Sequence, residues 1–169
     1  SGCDLPHIDC RTLKYDETIT HEGFQVSTLK ISHDTKEPCA FLVETGGVRS
    51  LFLTDIGTTE DFDTTALADL DYLFIEANHD ETMLRTGRYP AFLKNRISGS
   101  GGHLNNRECG LLVKTLARQS PNLQAIMLAH LSRDNNTPEF ALATARECAG
   151  VLPAVQWSVA SQFEPRRCI

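Results

Sequence analysis

Apolar residues in this chain fall into short runs separated by polar and glycine-rich breaks. FQVSTLKIS (24–32) has the β-branched and aromatic content of a strand. CAFLVET (39–45) and VRSLFLT (48–54) flank Gly46-Gly47, a pair that tolerates positive φ, so they predict a hairpin. Asp55-Ile56-Gly57 ends its second strand. YLFIEA (72–77) and LQAIMLA (123–129) are continuous apolar runs of the kind buried strands show. Between them the spacing of Leu104, Leu111, Leu112 and Leu116 predicts a helix over 103–118. Thr137-Pro138-Glu139 combines an N-cap with proline at the first helical position, so a helix is expected from there to Ala149, stopping at Gly150. DFDTTALADL (61–70) reads as a short helix, 78–102 as two short helical stretches around Tyr89-Pro90, and PAVQWSVA (153–160) as a last strand. Residues 1–20 lack periodicity and read as a loop or a frayed edge. A hairpin followed by strand–helix alternation predicts a layered α/β domain, or part of one.

Composition narrows the class. The 169 residues are 41% hydrophobic and 22% charged, the balance of a globular domain. A net charge of −6 excludes a chain-wide basic field for nucleic acid, so a polyanionic substrate needs a local cationic site. The six cysteines form no CxxC pair, and reduced, mostly buried thiols are expected, with Cys109 and Cys148 on apolar helix faces. No apolar run approaches the roughly 18 residues of a spanning helix, and the N-terminus does not read as a signal peptide, so no membrane partner and a cytoplasmic location are expected.

Three positions share a pattern. His33, Asp55 and His130 each follow directly on a β-run, and in layered α/β folds strand ends form one ligand-binding rim. Imidazole with carboxylate suits zinc, manganese or iron. A lone His or Asp after a strand is also an ordinary cap or turn residue. His103 follows the loop SGSGG at an expected helix start, where a neutral, proton-exchanging imidazole is favoured; an exposed helix-start His is the plain alternative. Asn105 and Asn106 beside it can bind phosphate or cap the helix. IEANHD (75–80) places Glu76, Asn78, His79 and Asp80 after a buried strand, a costly concentration of polar groups unless they are paired. Glu76 suits a partner that orients a histidine, and His79 suits either the site or a loop. Arg85, Arg88, Lys94 and Arg96 are a basic cluster that either contacts phosphate or forms a solvated helix face.

The phrases KISHDTKEPCAFLVETGG, LFLTDIG, LFIEANHDETMLRTGRYPAFLKNRISGSGGHLNN and IMLAHLSRDNNTPEFA together resemble the YycJ/WalJ-type hydrolases of metallo-β-lactamase fold, over about residues 24–150. The resemblance implies a four-layer αββα sandwich with a two-metal site (zinc or manganese, with iron as an option) on one edge. His33, Asp55 and His130 resemble metal ligands, Asp55 the carboxylate that bridges both ions. His103 resembles the histidine that protonates the leaving group, and Glu76 its acidic partner; Asn106, Lys94 and Arg96 are expected to contact substrate. The implied reaction is hydrolysis of a phosphodiester, DNA by an exonuclease-like activity.

The fold also carries an HxHxDH motif in its N-terminal half, and no such motif occurs in these 169 residues; His7 and His21 do not fit it. Residues 1–169 are therefore expected to be the C-terminal portion of one such domain, with a missing N-terminal half or a partner chain to complete it, and to be inactive alone. Ser1 and the intact motifs favour a fragment over a split enzyme or a degenerate relative. A non-catalytic module binding nucleic acid or a partner chain, and a hydrolase of a small ester or thioester, are the competing functions.

Overall fold

The structure, a computed structural model, describes residues 12–164. Its strands are β1 (Thr18–His21), β2 (Phe24–Lys30), β3 (Cys39–Thr45), β4 (Val48–Leu53), β5 (Tyr72–Glu76), β6 (Ala125–Ala129) and β7 (Gln156–Val159). Its helices are α1 (Glu81–Thr86), α2 (Ala91–Ile97), α3 (Asn106–Gln119) and α4 (Pro138–Ala149). The strands form one seven-stranded sheet whose spatial order is the order of the chain. β1 to β4 are an antiparallel meander, and β4 to β7 run parallel, so the second half needs crossovers and supplies the helices.

Side-chain alternation splits the sheet into two unlike faces. Ala40, Leu42, Leu51, Leu53, Leu73, Ile75, Ile126 and Leu128 face the helices and are buried. They pack with Leu112, Val113 and Leu116 of α3 and with Ala141, Ala145 and Ala149 of α4. The alanines recur every fourth residue, so α4 presents a shallow stripe and α3 crosses it closely. At the crossing, a Cβ on Gly110 would stand 2.5 Å from the Ala145 carbonyl oxygen, which excludes any larger residue there. The opposite face is open. Register lines up Phe41, Phe52, Phe74 and Met127 across β3 to β6. Phe52 and Phe74 stack at 4.4 Å, yet Phe41 is 40% and Phe52 38% exposed.

The hairpin, both parallel central strands and the Thr137-capped helix lie where the sequence puts them; Thr137 Oγ1 accepts the Phe140 N–H. Two expectations are corrected. Residues 61–70 form turns and no helix: the Asp63 carboxylate accepts the Thr65 N–H in a local turn, and Leu67 and Leu70 reach the core from irregular backbone. The α3 helix starts at Asn106, because Asn105 takes the N-cap in a capping box with Glu108; His103 therefore precedes the first turn. Within the segment read as a loop or a frayed edge, Thr18–His21 is an edge strand, turned back onto β2 by Glu22 and Gly23, both at positive φ. The last strand is shorter than expected, Gln156–Val159.

Among the described residues Cys39, Cys109 and Cys148 are free thiols; Cys109 is buried, Cys148 half-buried, and Cys3, Cys10 and Cys168 lie outside them. His7 likewise lies outside the described residues. No helix among them is long and apolar enough to cross a membrane.

Candidate functional site

Four loops meet at one edge of the sheet, where β2, β4, β5 and β6 end. They are locked by backbone: the Gly57 N–H donates to the Ser32 carbonyl at 2.7 Å, the Asp34 N–H to the Gly101 carbonyl at 2.9 Å, and the His103 N–H to the Ile97 carbonyl at 2.9 Å. Glycine is required where these chains touch. A Cβ on Gly102 would lie 2.2 Å from the Ile97 carbonyl oxygen. Asp55 and His130 both adopt the left-handed region, at φ 58° and 56°. Such strain, on the order of 1–3 kcal/mol per residue, persists where the surroundings impose it, commonly at functional sites.

The result is a cluster of three imidazoles around one carboxylate. Asp55 Oδ1 lies 3.7 Å from His33 Nε2, 3.7 Å from His103 Nδ1 and 3.5 Å from His130 Nδ1. Ligand atoms of Asp55, Glu76, His103 and His130 all fall within 4.8 Å of one another. Beneath them sits Glu76, fully buried although its strand neighbours Tyr72 and Phe74 face the open side. Its Oε2 accepts the Ile56 N–H at 2.9 Å, and its Oε1 accepts from His130 Nδ1 at 2.8 Å. His103 Nδ1 also lies 2.7 Å from Oε1, off the line of a full hydrogen bond. Burial pushes the Glu76 carboxyl up, but contacts with His103 and His130 and the Ile56 N–H outweigh it and hold it below the usual carboxylate range. Its hydrogen bond in turn raises the pKa of His130 against burial.

These contacts set the histidine tautomers. With Nδ1–H given to Glu76, His130 keeps its lone pair on Nε2. His33 Nδ1 pairs with the Gly102 carbonyl at 2.9 Å, which leaves Nε2 facing Asp55. The cluster fits a divalent cation. The 3.7 Å from His33 Nε2 to Asp55 Oδ1 is too long for a hydrogen bond and close to the roughly 3.4 Å between two ligands each about 2.0–2.1 Å from a tetrahedral zinc.

Every strand-end candidate is thus brought together: His33, Asp55 and His130, with His103 and Glu76. The expected substrate contacts are placed otherwise. Asn106 is 1% exposed and its amide exchanges hydrogen bonds with Asn136, so it ties α3 to the loop before α4 instead of facing the rim. Arg96 grips Asp34 through two hydrogen bonds of 2.6 and 3.0 Å, and Lys94 Nζ donates to the Arg85 carbonyl at 2.9 Å. Arg88 pairs with Asp134. Of the four basic groups, Arg88 and Arg96 are thus paired with carboxylates.

Sequence reasoning missed the Ile56 N–H and the Gly102 carbonyl as orienting groups, since main-chain atoms carry no residue signature. The Asn136 amide, in the Asn-rich loop 135–136, bonds the Ala77 and Asn78 carbonyls.

His79 is 2% exposed and lies outside the cation cluster. Burial, foremost, takes its pKa down to about 4; the Glu76 and Asp80 carboxylates oppose this and His103 adds to it. Below about pH 6.5 the unfolded chain binds a proton that the fold refuses, so stability falls as pH drops from 6.5 towards 4, by up to about 1.4 kcal/mol per unit. Denaturant titrations at pH 7 and pH 5 should show this loss in the wild type and a smaller one in His79→Asn. Equal losses in both would show that other groups carry the dependence.

The chain is 33% identical over 122 residues to the exodeoxyribonuclease YycJ of Bacillus anthracis, covering 72% of this chain and 46% of that protein. It is 33% identical over 126 residues to the exodeoxyribonuclease WalJ of Streptococcus pneumoniae, covering 74% and 46%. It spans about half the length of the curated relatives it matches. No family model matches it. Among solved structures it resembles the metallo-β-lactamase fold protein YhfI of Bacillus subtilis (TM-score 0.62, 18% identity, 88% of this chain and 51% of that one). It also resembles Zn(2+)-bound PqqB of Methylobacterium extorquens (TM-score 0.57, 19% identity, 89% and 52%). The chain is therefore similar to the YycJ and WalJ exodeoxyribonucleases over the span it shares with them, and its fold matches about half of a metallo-β-lactamase-fold protein.

Proposed function

We propose that this chain is the C-terminal portion of a metal-dependent hydrolase that cleaves phosphodiester bonds in DNA. One observation carries the reading: an Asp55 carboxylate ringed by three imidazoles at a strand-end rim, in a chain similar to proteins named exodeoxyribonucleases.

His33, Asp55 and His130 would hold two divalent cations, zinc or manganese with iron as an option, together with ligands from outside the described residues. Such ions, when bound, lower the pKa of water and offset charge developing on a phosphoryl group. The protein's own groups do the rest. Glu76 fixes the His130 ring through Nδ1 and holds His103 close by. His103 carries a proton at the rim and delivers it to the departing oxygen. Asp55 sets the spacing of the three rings.

The open sheet face supports the partial-domain reading. Phe24, Phe41 and Phe52 are 49%, 40% and 38% exposed on it, and a second β-layer is the cover such a face calls for. That layer would come from a missing N-terminal half or a partner chain and bring the remaining ligands; residues 1–169 alone are inactive on this reading. A DNA substrate goes with a cytoplasmic location.

The test uses the full-length protein with its flanking sequence and end-labelled DNA. Nucleotide release should require manganese or zinc and stop with a chelator. His103→Ala should keep its metal and slow turnover by roughly 10²–10⁴-fold. Loss of metal from His103→Ala would make that residue a ligand; metal-independent turnover, or turnover of carboxylic esters alone, would overturn the reading.

A further inference from the structure

One residue past His130 the chain enters a second concavity. A cleft of about 310 Å³ opens beyond the ends of β6 and β7, lined in part by Leu131, Arg133, Pro138, Val159, Gln162 and Phe163. That volume is at the lower end of small-ligand clefts, about 300–1,000 Å³. Its accessible lining is mostly apolar, and its mouth carries one pair of unusual groups. Phe163 is 79% exposed, and the Arg133 guanidinium lies 4.9 Å from its ring centroid. The guanidinium covers at most one face of the ring and leaves the other accessible.

The pair is held in place. Gln162 Oε1 accepts from Arg133 Nε, and Gln162 Nε2 donates to the Leu131 carbonyl at 2.9 Å. Arg133 is thus anchored through an amide, and no carboxylate among the described residues cancels its charge. That separates it from Arg96 and Arg88, which are paired with Asp34 and Asp134.

An aromatic face backed by a cation, beside an apolar slot that begins one residue past His130, matches one ligand chemistry in particular. A nucleobase stacks on the ring, and the flanking phosphate meets the guanidinium. We infer that Phe163 and Arg133 form a nucleotide subsite that holds the base next to the scissile phosphodiester. The inference rests on the hydrolase reading for its orientation, but its binding chemistry is independent of turnover.

The experiment measures binding of a fluorescein-labelled single-stranded deoxyoligonucleotide to the full-length protein by anisotropy, in EDTA and low salt. Phe163→Ala should weaken binding by about 5- to 100-fold, and Phe163→Trp should restore it. Arg133→Ala should weaken it and lower the salt dependence by about one phosphate contact. A probe abasic at its terminal nucleotide should bind the wild type as weakly as the intact probe binds Phe163→Ala. Unchanged affinity in Phe163→Ala, or full affinity for the abasic probe, would overturn the subsite. DNA cleavage by the wild type is scored in a separate reaction with manganese. Base-dependent binding without cleavage keeps the subsite and sinks the hydrolase reading; cleavage with an indifferent Phe163 does the reverse.

Discussion

Full-length protein carrying Asp55→Asn will purify folded, without its metal, and with turnover reduced by at least about 10³-fold. The size follows from the geometry. Asp55 Oδ1 lies within 3.7 Å of a ring nitrogen from each of the three histidines, and its loss leaves His33 and His130 as neutral ligands with no charge to balance a dication. Asparagine is the informative substitution because it tolerates the left-handed backbone that residue 55 adopts at φ 58°. Alanine there would add strain and mix a folding defect with the loss of a ligand. Metal content by mass spectrometry, beside a thermal melt, separates the two effects. A variant that retains stoichiometric metal would remove Asp55 from the ligand set.

Glu76→Ala is expected to cost both stability and metal affinity. The carboxylate is fully buried and satisfies the Ile56 N–H and the His130 ring, with His103 against the same oxygen. Truncation strands buried donors, each at about 1–3 kcal/mol, so a total of roughly 3–5 kcal/mol is expected. Affinity for zinc should fall about 10- to 100-fold, the usual effect of removing a group that orients ligands. The sign with pH is fixed. Glu76 has a folded pKa below its unfolded value, so its stabilisation is present above the unfolded pKa and is lost as pH falls through the folded one. Urea unfolding at pH 7 with a parallel zinc titration checks both effects. Wild-type stability in the variant would mean that water replaces the carboxylate without penalty.

The site was legible in the sequence where chemistry coincides with the end of an apolar run. His33, Asp55 and His130 each follow a strand that two-residue alternation or continuous hydrophobicity reveals, and the resemblance supplied their roles. Glu76 was legible as an oddity, a carboxylate closing a buried strand. Direction was the hidden part. Asn106 reads as a polar loop residue, but once Asn105 takes the N-cap the helical period turns Asn106 inward. Arg96 and Lys94 read as a basic cluster, but their partners Asp34 and the Arg85 carbonyl are set by tertiary contact. Residues 61–70 carry leucines at a spacing that also suits a helix. The local turn at Asp63 competes with helical hydrogen bonding, and burial of Leu67 and Leu70 is achieved without a helix.

The spatial order of the strands has a consequence for biosynthesis. Because each strand pairs with its sequence neighbours, the sheet can be laid down progressively as the polypeptide leaves the ribosome, with no earlier strand waiting for a distant mate. The cation ligands then emerge in the order His33, Asp55, His130. Cation capture must wait until β6 has docked and carried His130 into position, so loading belongs to the closing stage of assembly, when the meander and the central parallel pair already exist.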